Sequence, residues 1–264
     1  MAGIRFWQVD AFTDRPFGGN PAAVCLLDQP MDGAWMQAVA AEMNLSETAF
    51  IRPLAEGFEL RWFTPAVEVD LCGHATLAAA HVLWQRDLVP ENKVIDFQTR
   101  SGTLRASCSS QLIELDFPAT PASAVEPPDG LLESLSVEPV FVGRTSFDLL
   151  VEVESASTVR GLQPDYARLG RLSTRGVIVT ARADAPGFDF ISRFFAPAAG
   201  VNEDPVTGSA HCCLGPYWSE RFGRSQLVGY QASMRGGTVN VRIAGDRVIL
   251  GGIAIIVCEG NLLV

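Results

Sequence analysis

One sequence pattern occurs twice in this chain of 264 residues, and the repetition restricts the possible folds more than any other feature. Arg61–Pro65 (RWFTP) precedes a Gly-His-Ala step at Gly73, and Arg193–Pro197 (RFFAP) precedes a Gly-Ser-Ala step at Gly208. Each step opens an apolar run. The proline and the glycine are 8 residues apart in the first copy and 11 in the second. Because the order of the features is kept, we interpret the chain as a duplicated α/β unit.

A proline-rich stretch separates the two copies. Four prolines lie within residues 118–130, as is typical of a linker. We therefore expect an N-terminal half over residues 1–118 with a central helix at 74–85, and a C-terminal half over 129–264 with a central helix at 209–218. These ranges leave open whether the last strand crosses back to the first half.

Alternation of apolar and polar residues between turn residues predicts strands throughout both halves. An apolar stripe at helical spacing predicts a helix over Asp32–Met43, and a shorter helix is expected over Tyr166–Leu172. The predicted strands are Ile4–Val9, Ala22–Leu27, Thr48–Ile51, Phe58–Phe63, Val94–Thr99, Gly102–Ser107, Leu112–Phe117, Val140–Val142, Asp148–Val153, Gly176–Thr180, Asp189–Phe195, Gly237–Ile243 and Arg247–Ile256.

The two central helices have unusual starts. His74–Gln85 is apolar nearly all round, which predicts a helix buried on every side. The first four backbone N–H groups of a helix have no partner within it, so a buried start with a leading glycine is a natural seat for an anion. The helix beginning at Gly208 has the same character and is expected to end at Gly215–Pro216. The alternative is that Ser209 is a simple N-cap and His74 a packed core histidine.

Charge and composition exclude several classes of partner. The formal net charge is −10, and no run of Lys or Arg occurs, so nucleic acid and anionic membranes are poor partners. The N-terminus lacks the apolar core of a signal peptide, and the longest near-apolar stretch, Val248–Cys258, is too short to span a bilayer. The six cysteines follow no disulfide framework. Free thiols in a reducing cytoplasm and a small-molecule partner are the expectation.

Three side chains near the helix starts are candidates for proton transfer. Glu47 precedes an apolar strand, where it is either solvated or held in a pocket whose desolvation raises its proton affinity. Asp204 either serves the site or forms an Asx turn ahead of Pro205. Cys72 could be a thiolate activated by the helix start. Its counterpart in the repeat is Thr207, so a racemase with two thiols lacks one of them.

Neither a metal nor an organic cofactor is expected. Cys72–His74 and His211–Cys213 gather thiols and imidazoles, but no Cys-x-x-Cys or His-x-x-x-His spacing occurs. Neighbouring residues on a helix also point about 100° apart. The glycine pairs match neither a P-loop nor a dinucleotide-binding fingerprint.

Six segments resemble, in the same order, those of the phenazine biosynthesis-like (PhzF) isomerase family. The most specific are the Gly-His-Ala-Thr and Asp-Pro-Val-Thr-Gly-Ser motifs, whereas Gln231–Gly237 follows the family pattern only loosely. The six segments are Val9–Thr13, Phe17–Val24, Asn44–Phe50, Leu71–Thr76, Thr99–Gly102 and Glu203–Ala210.

The resemblance implies a diaminopimelate-epimerase-like α/β (α+β) fold. Its two pseudo-equivalent halves would each be a strongly curved, mainly antiparallel sheet or barrel around a central buried helix. The implied catalytic residues are Glu47, as principal acid/base, with His74, Asp204 and Ser209. The implied substrate-binding residues are Asn20, Ser46, Gly73 and Gly208.

The implied function is a cofactor-independent isomerase, usually dimeric, that shifts a proton on a small carboxylate-bearing metabolite. Glu47 is the better primary base because a helix N-terminus disfavours the cationic form of His74. The two helix starts are expected to face one cleft, with Asp204 orienting His74 or the substrate and Ser209 donating to the carboxylate. Two alternatives stay open: an epimerase or racemase using Cys72 with a second, non-thiol base, and a non-catalytic protein that binds small carboxylates.

Overall fold

The structure is a computed structural model and describes residues 3–90, 93–109 and 111–263. These residues form two compact units. One comprises the described residues up to Asp116 together with those from Gly251 onward, and the other is Phe117–Leu250. None of the helices in the described ranges is long and apolar enough to cross a membrane.

The unit boundaries differ from the expected ranges 1–118 and 129–264 at both ends of the second unit. The last strand, Ala254–Leu262, pairs antiparallel with the first strand, Ile4–Ala11, so the C-terminal segment belongs to the first unit. The proline-rich segment belongs to the second unit because Ser123–Ala124 adds a short antiparallel strand to Pro139–Arg144.

Strands dominate both units, and each unit holds one long helix that is buried along most of its length. Up to Pro118 the elements are β1 Ile4–Ala11, β2 Asn20–Leu26, α1 Gly33–Met43, β3 Glu47–Pro53, β4 Phe58–Phe63, β5 Glu68–Val69, α2 Gly73–Gln85, β6 Ile95–Thr99, β7 Gly102–Ser109 and β8 Leu112–Pro118. They continue with β9 Ser123–Ala124, α3 Leu131–Leu135, β10 Pro139–Arg144, β11 Asp148–Val153, α4 Ala156–Gly161, α5 Tyr166–Leu169, β12 Gly176–Arg182, β13 Phe190–Ala196, β14 Val201–Asp204, α6 Gly208–Phe222, β15 Gln226–Gln231, β16 Gly237–Ala244, β17 Arg247–Gly252 and β18 Ala254–Leu262.

The two units share one strand topology. In the first, β2 runs parallel to β3, β3 antiparallel to β4, β4 parallel to β6, and β6 antiparallel to β7. In the second, the series β11, β12, β13, β15 and β16 has the same succession of parallel and antiparallel neighbours. The prediction of two pseudo-equivalent halves is therefore confirmed.

The arginine of the repeated motif makes the same bidentate ion pair in each unit. Arg61 donates to Glu68 over 2.7 and 2.8 Å, and Arg193 donates to Glu203 over the same two distances. Both glutamates lie five residues before the glycine that opens the long helix. The three additional residues of the second copy therefore lie between its proline and its glutamate, where the chain forms a 3-10 turn over Pro197–Ala199.

Strand register establishes which residues of the two units correspond. Glu47, the first residue of β3, pairs with Ala22, and Gly176, the first residue of β12, pairs with Asp148. The pairing of β3 with β4 and of β12 with β13 keeps the same register. A Cβ atom at Gly176 would lie 2.3 Å from the Phe194 ring, so a side chain there would have to displace that ring. The second unit thus has a glycine at the position of Glu47.

The second long helix does not end at Pro216, as the sequence predicted, but continues to Phe222. A proline inside a helix leaves the carbonyl four residues earlier without its usual donor. Here that carbonyl belongs to Cys212, and the Thr120 N–H donates to it over 3.0 Å. Gly215 also suits this position, since a Cβ there would lie 2.7 Å from Val241.

Two other predictions about strands were incomplete. The sequence analysis missed β15, because its buried positions include Gly229 and Gln231, which hide the apolar alternation. The strand predicted over Arg247–Ile256 is two strands, β17 and β18. They are separated at Ile253, whose carbonyl accepts a hydrogen bond from the Thr13 N–H.

Candidate active site

The carboxylate of Glu47 and the imidazole of His74 meet in the first unit. Glu47 opens β3, and His74 is the second residue of α2. Glu47 Oε2 lies 3.1 Å from His74 Nε2. The two atoms are close but poorly aligned, and both are buried without a hydrogen-bond partner among the described residues. Buried polar atoms are costly when unpaired, so this arrangement is typical of a site that a ligand completes.

The opposite edge of the His74 ring is held by two side chains. Its Nδ1 lies 3.2 Å from Asn20 Nδ2 and 3.6 Å from Cys72 Sγ. Asn20 is the fully buried first residue of β2, and Cys72 is the N-cap residue of α2. The ring is therefore fixed at Nδ1, and its Nε2 is turned to the carboxylate.

Opposing effects act on the pKa of His74. Burial lowers it, but the adjacent Glu47 carboxylate raises it, and the pKa is held well above its usual 6.5. The helix start opposes the effect of the carboxylate, and so does the Asn20 amide nitrogen at Nδ1, which is a donor, so the neutral state of His74 stays a prediction.

Cys72 is held as a thiol. Burial raises the pKa of Cys72, and the charge of Glu47 raises it further, although His74 opposes the shift. A thiol is a weak base and a weak nucleophile compared with a thiolate. At the corresponding position, one residue before the helix glycine, the second unit has Thr207.

Glu47, Cys72 and His74 are also the three described residues that could share a metal ion, with ligand atoms within 4.8 Å of one another. The expected divergence of Cys72 from His74 was wrong, because Cys72 is extended (φ −146°, ψ 114°) and lies before the helix. A zinc ion at this place would need Cys72 as the thiolate. The absence of a bound metal stays a prediction.

In the second unit, hydrogen bonds fix the turn that leads into α6. Asp204, the last residue of β14, accepts a 2.5 Å hydrogen bond from the Thr207 hydroxyl. The fully buried Gln231 donates to the Asp204 carbonyl over 2.8 Å and accepts from the Thr207 N–H over 2.9 Å. Sequence reasoning did not assign Gln231 to the site. Its signal is a glutamine on the buried face of a strand.

Ser209 contacts an ion pair that the sequence analysis did not single out. Arg175 Nη2 donates to Ser209 Oγ over 3.0 Å. The same guanidinium binds Asp148 through Nε (2.9 Å) and Nη2 (2.5 Å), and Asp148 is buried. Ser209 is not the N-cap of α6, which is Thr207. Only the strand register could have indicated Arg175, because it shows that Arg175 and Ser46 occupy equivalent positions in the two units.

The other predicted binding residues lie at the ends of these elements. Ser46 directly precedes β3, and Gly73 and Gly208 are the first residues of α2 and α6. Neither helix has a hydrogen bond from its N-cap side chain. Asn20, Ser46, Glu47, Gly73 and His74 belong to the first unit, and Asp204, Gly208 and Ser209 to the second. That the two sets act on one substrate stays a prediction.

Comparison with known proteins identifies the family of this chain. The model of the PhzC-PhzF family, described as phenazine biosynthesis-like protein, matches residues 9–260. An uncharacterized isomerase of Halalkalibacterium halodurans is 52% identical over 100% of both chains. The crystal structure of a PhzF family protein of Enterococcus faecalis is 39% identical, with a TM-score of 0.95 over 99% of this chain and 100% of the other.

A more distant likeness concerns the fold alone. A probable proline racemase of Agrobacterium radiobacter superposes with a TM-score of 0.65 at 11% identity, over 99% of this chain and 93% of the other. The duplicated topology and these comparisons confirm the predicted diaminopimelate-epimerase-like fold. The chain belongs to the phenazine biosynthesis-like family.

Proposed function

We propose that this isomerase shifts a proton on a small carboxylate-bearing metabolite by acid/base catalysis, with Glu47 as the proton carrier and no cofactor. The observation that carries the proposal is the buried contact between Glu47 Oε2 and His74 Nε2, neither of which has an aligned partner among the described residues. The isomerase name of the Halalkalibacterium halodurans relative supports the reaction class.

The distribution of acid/base groups favours a single proton carrier. Glu47 corresponds to Gly176 by register, and Cys72 corresponds to Thr207 by its place before the helix. At these two positions the second unit therefore has neither the carboxylate nor the thiol of the first. A proton shift needs one group that takes a proton from one carbon and returns it to another, whereas two-base epimerisation needs a second such group.

In the proposed reaction, the Glu47 carboxylate removes a proton from carbon, and the electron pair delocalises into the substrate. The resulting carboxylic acid then gives the proton to a second carbon, which restores the carboxylate. His74 stands beside the Glu47 carboxylate, which raises the pKa of His74 against the effect of burial. Its role is to hold Glu47 in place and to stabilise negative charge that develops on the substrate.

The residues of the second unit have supporting roles in this proposal. Asp204 orients the substrate or His74, and Ser209 donates to the substrate's carboxylate. The backbone N–H groups at Gly73 and Gly208 add donors from the helix starts. We further propose a homodimer in the cytoplasm. All six cysteines are free thiols, which suits a reducing compartment.

Incubation with a panel of small cyclic and amino carboxylates in deuterated water, followed by NMR, tests the proposal. We expect the wild-type protein to isomerise at least one of them, and to place deuterium at the reacting carbon to the extent that the proton held by Glu47 exchanges with solvent. Cys72→Ser should lose less than the roughly 100-fold that removal of an acid/base group typically costs. Loss of activity in Cys72→Ser with full activity in Glu47→Gln would instead select the epimerase.

A further inference from the structure

Arg175 in the second unit has a defined contact that the proposed reaction does not yet use. Its Nη2 lies 3.0 Å from Ser209 Oγ, and Ser209 is the residue proposed to donate to the substrate's carboxylate. The guanidinium of Arg175 thus contacts a side chain that is proposed to bind the substrate.

The direction of this hydrogen bond follows from the chemistry of the two groups. A guanidinium carries N–H donors and no acceptor, whereas a serine hydroxyl offers one O–H donor and two lone pairs. Ser209 Oγ must therefore accept from Arg175. Its single hydrogen then points away from the guanidinium and is available to a ligand oxygen.

The position of the guanidinium is fixed from two sides. Asp148, whose side chain is only 3% exposed, holds it with two hydrogen bonds of 2.9 and 2.5 Å. The rings of Phe147 and Phe194 lie 5.3 and 5.7 Å from its central carbon, within the range of a cation–π contact. A bidentate pair with aromatic support holds an otherwise flexible arginine in one arrangement.

The correspondence between the units sets Arg175 apart from a general surface ion pair. Arg175 stands where the first unit has Ser46, directly before the Glu47–Gly176 position. Ser209 stands where the first unit has His74, one residue after the helix glycine. At the positions of Ser46 and His74, the second unit thus has an arginine and a serine that are hydrogen-bonded to each other.

We propose that Arg175 is a positioning residue that presents the Ser209 hydroxyl as a donor to the substrate's carboxylate, and so favours carboxylates over their neutral analogues. The inference rests on the proposed function for the identity of the ligand as a carboxylate. Arg175 acts through Ser209, and Asp148 keeps Arg175 in place.

Calorimetric binding of anthranilate, with aniline as the analogue that lacks the carboxylate, tests this role in a double-mutant cycle. We expect Arg175→Met to weaken anthranilate binding about 10-fold or more, the loss typical of a hydrogen bond to a charged group, and to leave aniline binding unchanged. Ser209→Ala should have a similar effect. The double variant Arg175→Met with Ser209→Ala should bind anthranilate no more weakly than Ser209→Ala alone.

Three variants separate this role from charge and from stability. Arg144→Ala removes an exposed arginine of the same unit and should leave anthranilate binding unchanged. Arg175→Lys keeps a cation beside Asp148 but loses the fork, so its affinity should lie between wild type and Arg175→Met. If Arg175→Met does not fold, Arg175→Met combined with Asp148→Asn takes its place in the cycle. Asp148→Asn removes the buried carboxylate that Arg175→Met leaves without a partner.

Several results would overturn the inference. The first is that the wild type binds anthranilate and aniline with equal affinity. The second is that the losses of anthranilate affinity in Arg175→Met and Ser209→Ala add up in the double variant. The third is that Arg144→Ala loses as much anthranilate affinity as Arg175→Met. The readout is binding and not turnover. Coupling between Arg175 and Ser209 without any isomerisation would leave the inference standing and remove the proposed function.

Discussion

Glu47→Gln is expected to reduce the isomerisation rate about 100- to 10,000-fold, the range typical for loss of a general acid/base. Glutamine keeps the size of the side chain and its capacity for hydrogen bonds, but it cannot take up and return a proton. Binding should therefore persist, and calorimetry with anthranilate should give an affinity close to that of the wild type. Rates measured by NMR in deuterated water give the loss directly.

A matched control for this substitution lies on the surface of the same unit. Glu42 is exposed near the end of α1, and Glu42→Gln makes the same change in charge and shape. We expect its turnover to equal that of the wild type. Normal turnover in Glu47→Gln, or loss of anthranilate binding along with turnover, would contradict the assignment of Glu47 as proton carrier.

Lowering the pH from 7 to 4 is expected to reduce the free energy of unfolding by about 3 kcal/mol through His211 alone. This side chain in α6 is fully buried, with Nδ1 2.8 Å from the Thr207 carbonyl oxygen. Burial lowers the pKa of His211 from 6.5 to about 4, although the Thr207 carbonyl opposes the shift. In the unfolded chain the histidine has its ordinary, higher pKa, so on acidification it binds a proton there before it does in the folded protein. This proton binding favours the unfolded chain. The stability is therefore complete above pH 6.5 and lost as the pH falls toward 4.

Denaturant unfolding at pH 7 and at pH 4 measures this effect. His211→Gln keeps a donor for the Thr207 carbonyl but does not titrate, so its loss of stability on acidification should be about 3 kcal/mol smaller than in the wild type. His74 does not mask the difference, because a raised pKa contributes fully below pH 6.5 and is lost only at higher pH. An unchanged pH dependence in His211→Gln would contradict the prediction.

The control for the second prediction is the half-buried His81. Burial and the charge of Arg86 lower the pKa of His81 to about 4, but partial exposure lets solvent screen the effect. His81→Gln should therefore flatten the pH dependence less than His211→Gln does. If His81→Gln flattened the pH dependence as much as His211→Gln or more, the acid sensitivity would lie in the first unit, and the prediction for His211 would be contradicted.

The duplicated architecture could be predicted because it depends on local order. The aromatic-proline motif, the glycine and the apolar helix occur twice, and the ion pairs of Arg61 and Arg193 confirm that the copies are equivalent. The end of α6 could not be predicted, because the donor that satisfies the carbonyl freed by Pro216 comes from Thr120, far away in the sequence.

The candidate site divides in the same way. Glu47 and His74 stand in recognisable motifs, and the structure brings their side chains together. Arg175 stands in a segment without a motif and Gln231 in one that follows the family pattern only loosely, and only strand pairing brings them to Ser209 and Asp204. Contacts set by register are invisible to a sequence pattern until the strands are aligned.

The most direct test of a single proton carrier is the face of the substrate on which deuterium enters. The substrate found by the panel is converted in deuterated water, and the configuration at the labelled carbon is determined by NMR. One carboxylate that removes and returns the proton predicts deuterium on the face from which hydrogen was taken. Deuterium on the opposite face, or an epimerised carbon, would require a second base and would contradict the assignment of Glu47 as the sole carrier.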